Sequence, residues 1–274
     1  LYRRDLFVIA MFFVTVLGSG SSGNCSLVET SETRILVDAG LSARKIEQRL
    51  AGVGVRPEQI DGILVTHEHS DHVMALGVWG RRYGTPVYSN SLTAEALKKD
   101  TAGVPWRCFV TGTRFQLGDI EVQSFPISHD AAEPVGFVLD HGGVGAGFLT
   151  DLGFATRLVV ERVRPVHTLL IETNHDEKLL QDDTRRPWSV KQRILSRHGH
   201  LSNAAAAEVL AGMVGGNLRR AVLGHLSSDC NTRDLAVQTV RERLDRDGGA
   251  HIEVICAGQH ECTARMPVGG ASLP

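Results

Sequence analysis

Short apolar or β-branched stretches run over Phe12–Leu17, Ser26–Glu29, Arg34–Asp38 and Ile63–Thr66, separated by Gly, Ser or Thr-Glu turns, and this pattern predicts strands. Helical spacing interrupts them. Ser42 can cap a helix through Leu50, and Ser70 a second running from Asp71 towards Tyr83, with Val73, Leu76 and Trp79 on one face. A strand near Pro86–Tyr88 and a helix over Ser91–Lys99 follow, then strands at Ile120–Ile127, Pro134–Leu139 and Ala146–Thr150. The second half alternates helices (Ala155–Val163, Pro187–Arg197, Ser202–Val214, Thr232–Leu244) with strands (His167–Ile171, Ala221–Leu223, Ile252–Ile255). Residues 11–261 read as one domain and residues 262–274 as a loose tail.

A chain of 274 residues, 42% of them hydrophobic, can bury a large core. Its formal net charge of -2 excludes a globally basic nucleic-acid binder, so attraction for an anionic substrate must be local. Five widely spread cysteines without a C-x-x-C pair fit free thiols in a reducing compartment. Arg3-Arg4 before the apolar run from Leu6 to Leu17 has the outline of a signal peptide, but no A-x-A site follows and the run is too short for a membrane span. We therefore read residues 1–10 as a non-native or disordered extension before Met11, and the protein as cytoplasmic with no membrane association.

Gly18-Ser19-Gly20-Ser21-Ser22-Gly23 matches the G-x-G-x-x-G dinucleotide fingerprint, with Asp38 at the appropriate distance. The context fails, because the fingerprint must open a helix whereas Asn24 to Asp38 reads as a hairpin, and no nicotinamide cofactor is expected. A glycine-rich turn with free N–H groups still suits a phosphate, which makes Ser21, Ser22 and Asn24 candidates for substrate binding.

The dense chemistry lies in His67-Glu68-His69-Ser70-Asp71-His72. In an extended segment His67 and His69 point to one side, where two imidazoles can share an ion, and Asp71 and His72 can serve a second as the chain turns into a helix. Four ligands cannot complete two sites. His129, Asp151 and His225 each follow a predicted strand and are the candidates for the rest.

Together with Asp38, these residues resemble, in order and over nearly the whole chain, the metallo-β-lactamase superfamily. The resemblance implies an α/β protein, a four-layer αββα sandwich, that carries two divalent metal ions. It places His67, His69 and His129 on one ion and Asp71, His72 and His225 on the other, with Asp151 bridging and Asp38 orienting the motif loop from behind. Zn²⁺ is the first expectation, and Mn²⁺ or Fe suits the same ligands. Two ions roughly 3.5–4 Å apart would hold a hydroxide at neutral pH and stabilise negative charge on a phosphoryl or acyl oxygen. Asp71 and Asp151 are thereby catalytic. His69 stands where the superfamily's di-iron oxygen reductases place Glu, which favours hydrolysis over redox chemistry.

Within the superfamily, Leu17 to Cys25, Glu172-Thr173-Asn174-His175-Asp176 and Gly199-His200-Leu201-Ser202-Asn203 resemble the exonuclease-like YycJ/WalJ branch. Departures are the extension before Met11, Thr173 where Ser is expected, and Gly224 where Ser is expected before His225. The resemblance implies a phosphodiesterase or nuclease, 5′-3′ exonuclease-like on single-stranded nucleic acid, with His200 contacting phosphate or protonating the leaving oxygen. Asn174 and His175 would bind substrate, although His175 also fits local packing.

Arg185 to His200 holds Arg185, Arg186, Lys191, Arg193 and Arg197 and no acidic residue, and Trp188 could stack on a base. The same stretch equally fits a solvated amphipathic helix with Trp188, Val190 and Leu195 in the core. Only 73 residues lie between Asp151 and His225, too few for a large inserted domain, so the site should be open to a nucleic-acid end or a small phosphodiester. Two other classes compete: an acyl, thioester or lactam hydrolase using the same hydroxide, and a non-catalytic regulatory protein that binds metal structurally.

Overall fold

The computed structural model describes residues 11–269. The extension expected over residues 1–10 lies outside the described residues. The first part of the chain runs β1 (Phe13–Gly18), β2 (Cys25–Glu29), β3 (Arg34–Val37), α1 (Ala43–Gly52), β4 (Gly62–Leu64), α2 (Ser70–Val73), α3 (Leu76–Tyr83), β5 (Val87–Asn90), α4 (Ser91–Leu97) and β6 (Trp106–Phe109). An antiparallel meander follows: β7 (Arg114–Leu117), β8 (Ile120–Pro126), β9 (Val135–His141) and β10 (Val144–Leu149). Then come α5 (Arg157–Val163), β11 (Thr168–Glu172), α6 (Glu177–Asp182), α7 (Trp188–Ile194), α8 (Asn203–Ala211), β12 (Arg220–Gly224), α9 (Arg233–Arg246), β13 (Glu253–Cys256) and β14 (Met266–Pro267).

These strands form two seven-stranded mixed sheets, in the orders β14-β1-β2-β3-β4-β5-β6 and β13-β12-β11-β10-β9-β8-β7. Alternation along the strands explains why the sheets stack and why helices must cover both outer faces. Val14, Val16, Ile35, Val37 and Leu64 of the first sheet meet Val122, Phe137, Leu139, Phe148, Leu170 and Val222 of the second in a central core. Their strand neighbours Leu17, Leu27, Leu36 and Ile63 face outward, under Ile46 and Leu50 of α1 and Trp79 of α3. On the other side Leu169, Ile171, Ala221 and Leu223 pack beneath Val159 and Val163 of α5, Ala206 and Leu210 of α8, and Val240 and Leu244 of α9. Three apolar seams separate four layers, which is the αββα arrangement that the motifs imply.

Several local expectations give way. The single helix predicted from Asp71 to Tyr83 is two, because backbone groups that a continuous helix would use internally are taken elsewhere. The Asp71 carbonyl accepts from Asn24 N–H at 2.8 Å, the His72 carbonyl from Ala39 N–H at 2.8 Å, and Ala75 N–H donates to the Ala39 carbonyl at 2.9 Å. Residue 69, rather than Ser70, stands at the N-cap of α2. Strands β6 and β7, each at a sheet edge, and α6, capped by Asp176, escaped the pattern because half-exposed edge segments lack a clean period. The loose tail is corrected over residues 262–269, residues 270–274 lying outside the described residues: Met266–Pro267 pairs with β1, Met266 and Val268 are buried, and Thr263 N–H bonds the Val16 carbonyl.

Phe137 is fully buried between the sheets and away from the strand ends. Phe137→Ala should cost about 3–5 kcal/mol in urea denaturation through lost burial and the cavity left behind, with metal content per folded chain unchanged.

Candidate metal centre

The motif loop leaves β4 and enters α2, and β3, β10 and β12 end beside it with Asp38, Asp151 and His225. Among the described residues these three are the only non-glycine positions with positive φ, at 60°, 52° and 55°. Left-handed backbone is uncommon outside glycine, and although Asp and His tolerate it better than most residues, it persists where surroundings hold it. Here it turns each side chain back over its strand end. Gly40 permits the close approach beneath: a Cβ there would collide with the Asp71 carbonyl oxygen.

Nitrogen atoms of His67, His69 and His129 come within 4.8 Å of one another, as do donor atoms of Asp71, His72 and His225, and of His67, His72 and Asp151. Hydrogen bonds behind the rings select which nitrogen faces the cavity. Buried Asp38 accepts from Thr66 N–H at 2.9 Å, from the Thr66 hydroxyl at 3.0 Å, and from His72 Nδ1 at 2.7 Å. Because the Thr66 hydroxyl donates to Asp38, it accepts from His67 Nδ1 at 3.0 Å, and the His67 Nε2 lone pair is left buried without a partner. His129 Nδ1 donates to the Gly199 carbonyl at 2.9 Å and His225 Nδ1 to Glu172 Oε1 at 2.7 Å. The free Nε2 atoms then point inward, His129 Nε2 lying 3.3 Å from His69 Nδ1 and His225 Nε2 3.2 Å from Asp71 Oδ2.

The electrostatics call for positive charge at this point. Burial opposes charging His72, yet Asp151 and Asp38 raise its pKa to about 10. His225 is likewise driven well above its ordinary value against burial by Asp151. Burial would raise the Asp151 carboxyl, but His225 and His72 hold it well below the usual range. On the other side of the cluster, burial pushes His67 and His129 down, so these rings stay neutral and able to ligate. A buried lone pair on His67, a buried Asp151 carboxylate whose Oδ2 lies 2.7 Å from His72 Nε2, and neutral inward nitrogens on His67 and His129 fit a divalent metal ion, and the mixed His and carboxylate donors suit Zn²⁺, Mn²⁺ or Fe.

Glu172 is the site residue that the sequence reading missed as a functional group. Fully buried at the end of β11, it accepts from both His225 Nδ1 and His200 Nδ1 (2.8 Å), and from Leu152 N–H and Leu201 N–H at 2.8 and 3.0 Å. Burial would raise its carboxyl, but His200 and His225 lower it to about 2. Its signal was available: an acidic residue closing a parallel strand whose neighbours end in site residues. His200 in turn is raised by the Glu172 charge against burial. The N-cap of the following helix is Ser202.

A cavity of about 250 Å³ opens over the cluster, lined by Ser21, His69, Asp71, His129, Asp151, Asn174, Arg186, Arg193, Ile194, His200, His225 and Ser227. Of the residues expected to bind substrate, Ser21, Asn174 and Arg186 therefore reach it. Ser22, Arg185 and Trp188 do not line it. Asn24 is buried and braces the glycine-rich turn, its Oδ1 accepting from Ser19 Oγ and Gly20 N–H. His175 is buried and also absent from the lining. The core placement of Trp188, Val190 and Leu195 fails as well: all three are exposed, and Lys191 is buried in their stead with Nζ on the Gln181 carbonyl. The basic stretch is largely neutralised by acids from elsewhere in the chain: Arg185 and Arg186 pair with Asp183 and Asp229, and Arg193 with Asp130 at 2.5 Å.

A family model described as the beta-lactamase superfamily domain matches residues 33–226. The chain belongs to this superfamily. It is 37% identical over 259 residues to an exodeoxyribonuclease YycJ of Bacillus anthracis, covering 92% of this chain and 96% of that one. It is 39% identical over 238 residues to an exodeoxyribonuclease WalJ of Streptococcus pneumoniae, covering 85% and 88%. The fold is similar to that of the metallo-beta-lactamase fold protein YhfI from Bacillus subtilis, with a TM-score of 0.71 at 16% identity over 92% of this chain and 99% of that one. Gly224, the departure from the branch pattern, has a local reason in this superfamily member: a Cβ there would lie 2.7 Å from Ser19 Oγ, which accepts from His225 N–H at 2.8 Å.

Chelation should lower the melting temperature, since an ion held only by the folded state at 100 times its Kd contributes about 2.7 kcal/mol. Asp38→Ala should weaken metal affinity about 10–100-fold in chelator competition and shrink that thermal shift. Equal affinity in the variant would show that the Asp38 network does not orient the ligands.

Proposed function

We propose that the protein is a dinuclear metal-dependent nuclease, 5′-3′ exonuclease-like on single-stranded nucleic acid, with DNA ends the preferred substrate. The observation that carries the reading is the convergence of two ligand clusters on Asp151 beside a histidine, His200, that is tied to Glu172 and faces the same cavity. In this assignment His67, His69 and His129 would hold one ion and Asp71, His72 and His225 the other, with Asp151 shared between the two sets. When bound, such ions lower the pKa of water to about 7 and supply a hydroxide nucleophile while stabilising charge on the phosphoryl oxygens. The names of the two bacterial relatives point to DNA.

The chain's own groups do the rest. Because Nδ1 of His200 is held by Glu172, its Nε2 faces the cavity and is the atom that protonates the leaving oxygen. Arg186 and Arg193, held by Asp183, Asp229 and Asp130, present guanidinium groups at the rim, where they can exchange a carboxylate for phosphate.

The test is metal content together with hydrolysis of 5′-labelled single-stranded DNA and bis-p-nitrophenyl phosphate. Two ions per chain and activity on both substrates are expected, and Asp71→Ala should abolish both activities. Thioester or nitrocefin turnover without phosphodiester cleavage would overturn the reading in favour of acyl chemistry. His200→Ala should reduce DNA cleavage about 10²–10⁴-fold but bis-p-nitrophenyl phosphate hydrolysis much less, since p-nitrophenolate leaves without a proton.

An acid works only while protonated, so kcat on DNA should fall as pH rises through the His200 pKa, which Glu172 raises. Glu172→Gln removes that charge and should move the basic limb of the kcat profile to lower pH. An unmoved limb would mean that His200 is not the acid.

A further inference from the structure

A second cavity, of about 310 Å³, adjoins the metal cavity and shares two of its walls, Ser21 and Ser227. Its volume sits at the low end for small-ligand sites, room for one nucleotide-sized unit. Its chemistry differs from that of its neighbour. The metal cavity is lined by the carboxylates of Asp71 and Asp151, whereas among the described residues no carboxylate lines the second, which instead presents Arg233, His260 and a group of hydroxyls. Three of those hydroxyls, on Ser21, Ser22 and Ser228, make no hydrogen bond to any described residue, while Leu226 and Ala257 supply an apolar wall. Arg233 is anchored by the Cys256 carbonyl at 2.6 Å and by Glu261, which is not part of the lining. The floor is stiffened by Gln259, whose Oε1 accepts from Ser22 N–H and whose Nε2 donates to the Gly23 carbonyl, both at 2.8 Å.

We propose that this second cavity is a subsite for the nucleotide adjoining the scissile phosphodiester, its phosphate meeting the Ser22 and Ser228 hydroxyls and Arg233, its sugar and base lying against Leu226 and Ala257. Hydroxyl and guanidinium donors with no carboxylate in the lining, Glu261 holding Arg233 from outside it, select an anion, and the shared Ser21–Ser227 wall makes the two cavities consecutive stations on one strand. The proposal rests on the nuclease reading. It also gives the glycine-rich turn a function that its failed dinucleotide match left open: Ser21 faces the metal cavity and Ser22 the subsite.

The test uses Ser228→Glu, which places a carboxylate among these donors, and Ser228→Gln, a neutral control of similar size; Ser228 is exposed, so both should fold. Ser228→Glu should lower kcat/KM on a single-stranded oligodeoxynucleotide about tenfold or more, chiefly through KM, and leave bis-p-nitrophenyl phosphate, which is too small to need the subsite, within about twofold. Ser228→Gln, which loses the hydroxyl but adds no charge, should fall between wild type and Ser228→Glu on the oligodeoxynucleotide. Equal loss on both substrates, or no loss on either, would overturn the subsite. Anisotropy binding of a fluorescent phosphorothioate tetradeoxynucleotide decides independently of turnover: weaker binding by Ser228→Glu than by Ser228→Gln supports the subsite even if wild type cleaves neither substrate, a result that would sink the nuclease reading alone.

Discussion

A single buried carboxylate, Asp38, sets the chemistry of the metal centre. It sits at the end of β3 in a left-handed conformation, ties down Thr66 at the end of the neighbouring strand segment, and reaches His72 directly. Through the Thr66 hydroxyl it also dictates the His67 tautomer, so one acid decides which nitrogen two of the proposed ligands present. A buried carboxylate is costly unless it is hydrogen-bonded, and Asp38 accepts from backbone, hydroxyl and imidazole donors at once.

Glu172 performs the matching task from the second sheet. It fixes His225 and His200 with one oxygen and secures the backbone at Leu152 and Leu201 with the other. The two acids come from opposite halves of the sandwich and face one another across the cluster. The centre is therefore assembled only when the two sheets pack, and the apolar seam between them is what holds its geometry. Strain at Asp38, Asp151 and His225 is tolerated because strands buried on both faces leave the chain no other course.

Charge at the cavity is balanced locally rather than by excess. The arginines that looked like a basic patch are met by Asp183, Asp229 and Asp130, two of which lie far from them along the chain. The rim thus offers oriented guanidinium groups and little net field, in keeping with a protein whose total charge is only -2. In the proposed reading, recognition depends on geometry in the two adjoining cavities more than on long-range attraction.

Strand alternation, buried apolar runs and the spacing of His67, His69, Asp71 and His72 are local properties, and they were enough to imply two sheets, flanking helices and a metal-binding loop. Asp38, His129, Asp151 and His225 could be picked out because each closes a strand, and strand ends of stacked sheets converge. What only the tertiary structure decided depends on partners distant in the chain. The break between α2 and α3 comes from Asn24 and Ala39, the brace on His129 from Gly199, and the pairing of Met266–Pro267 with β1 from an edge that nothing near residue 266 records. Glu172 looked like one acid among many until folding placed two imidazoles on the same oxygen. Trp188 looked like a core residue or a stacking platform, and its exposure away from the cavity was set by the packing of α7 as a whole. Periodicity and propensity are written within a few residues, whereas hydrogen-bond acceptors and ion-pair partners are chosen by the packing of elements that are distant along the chain.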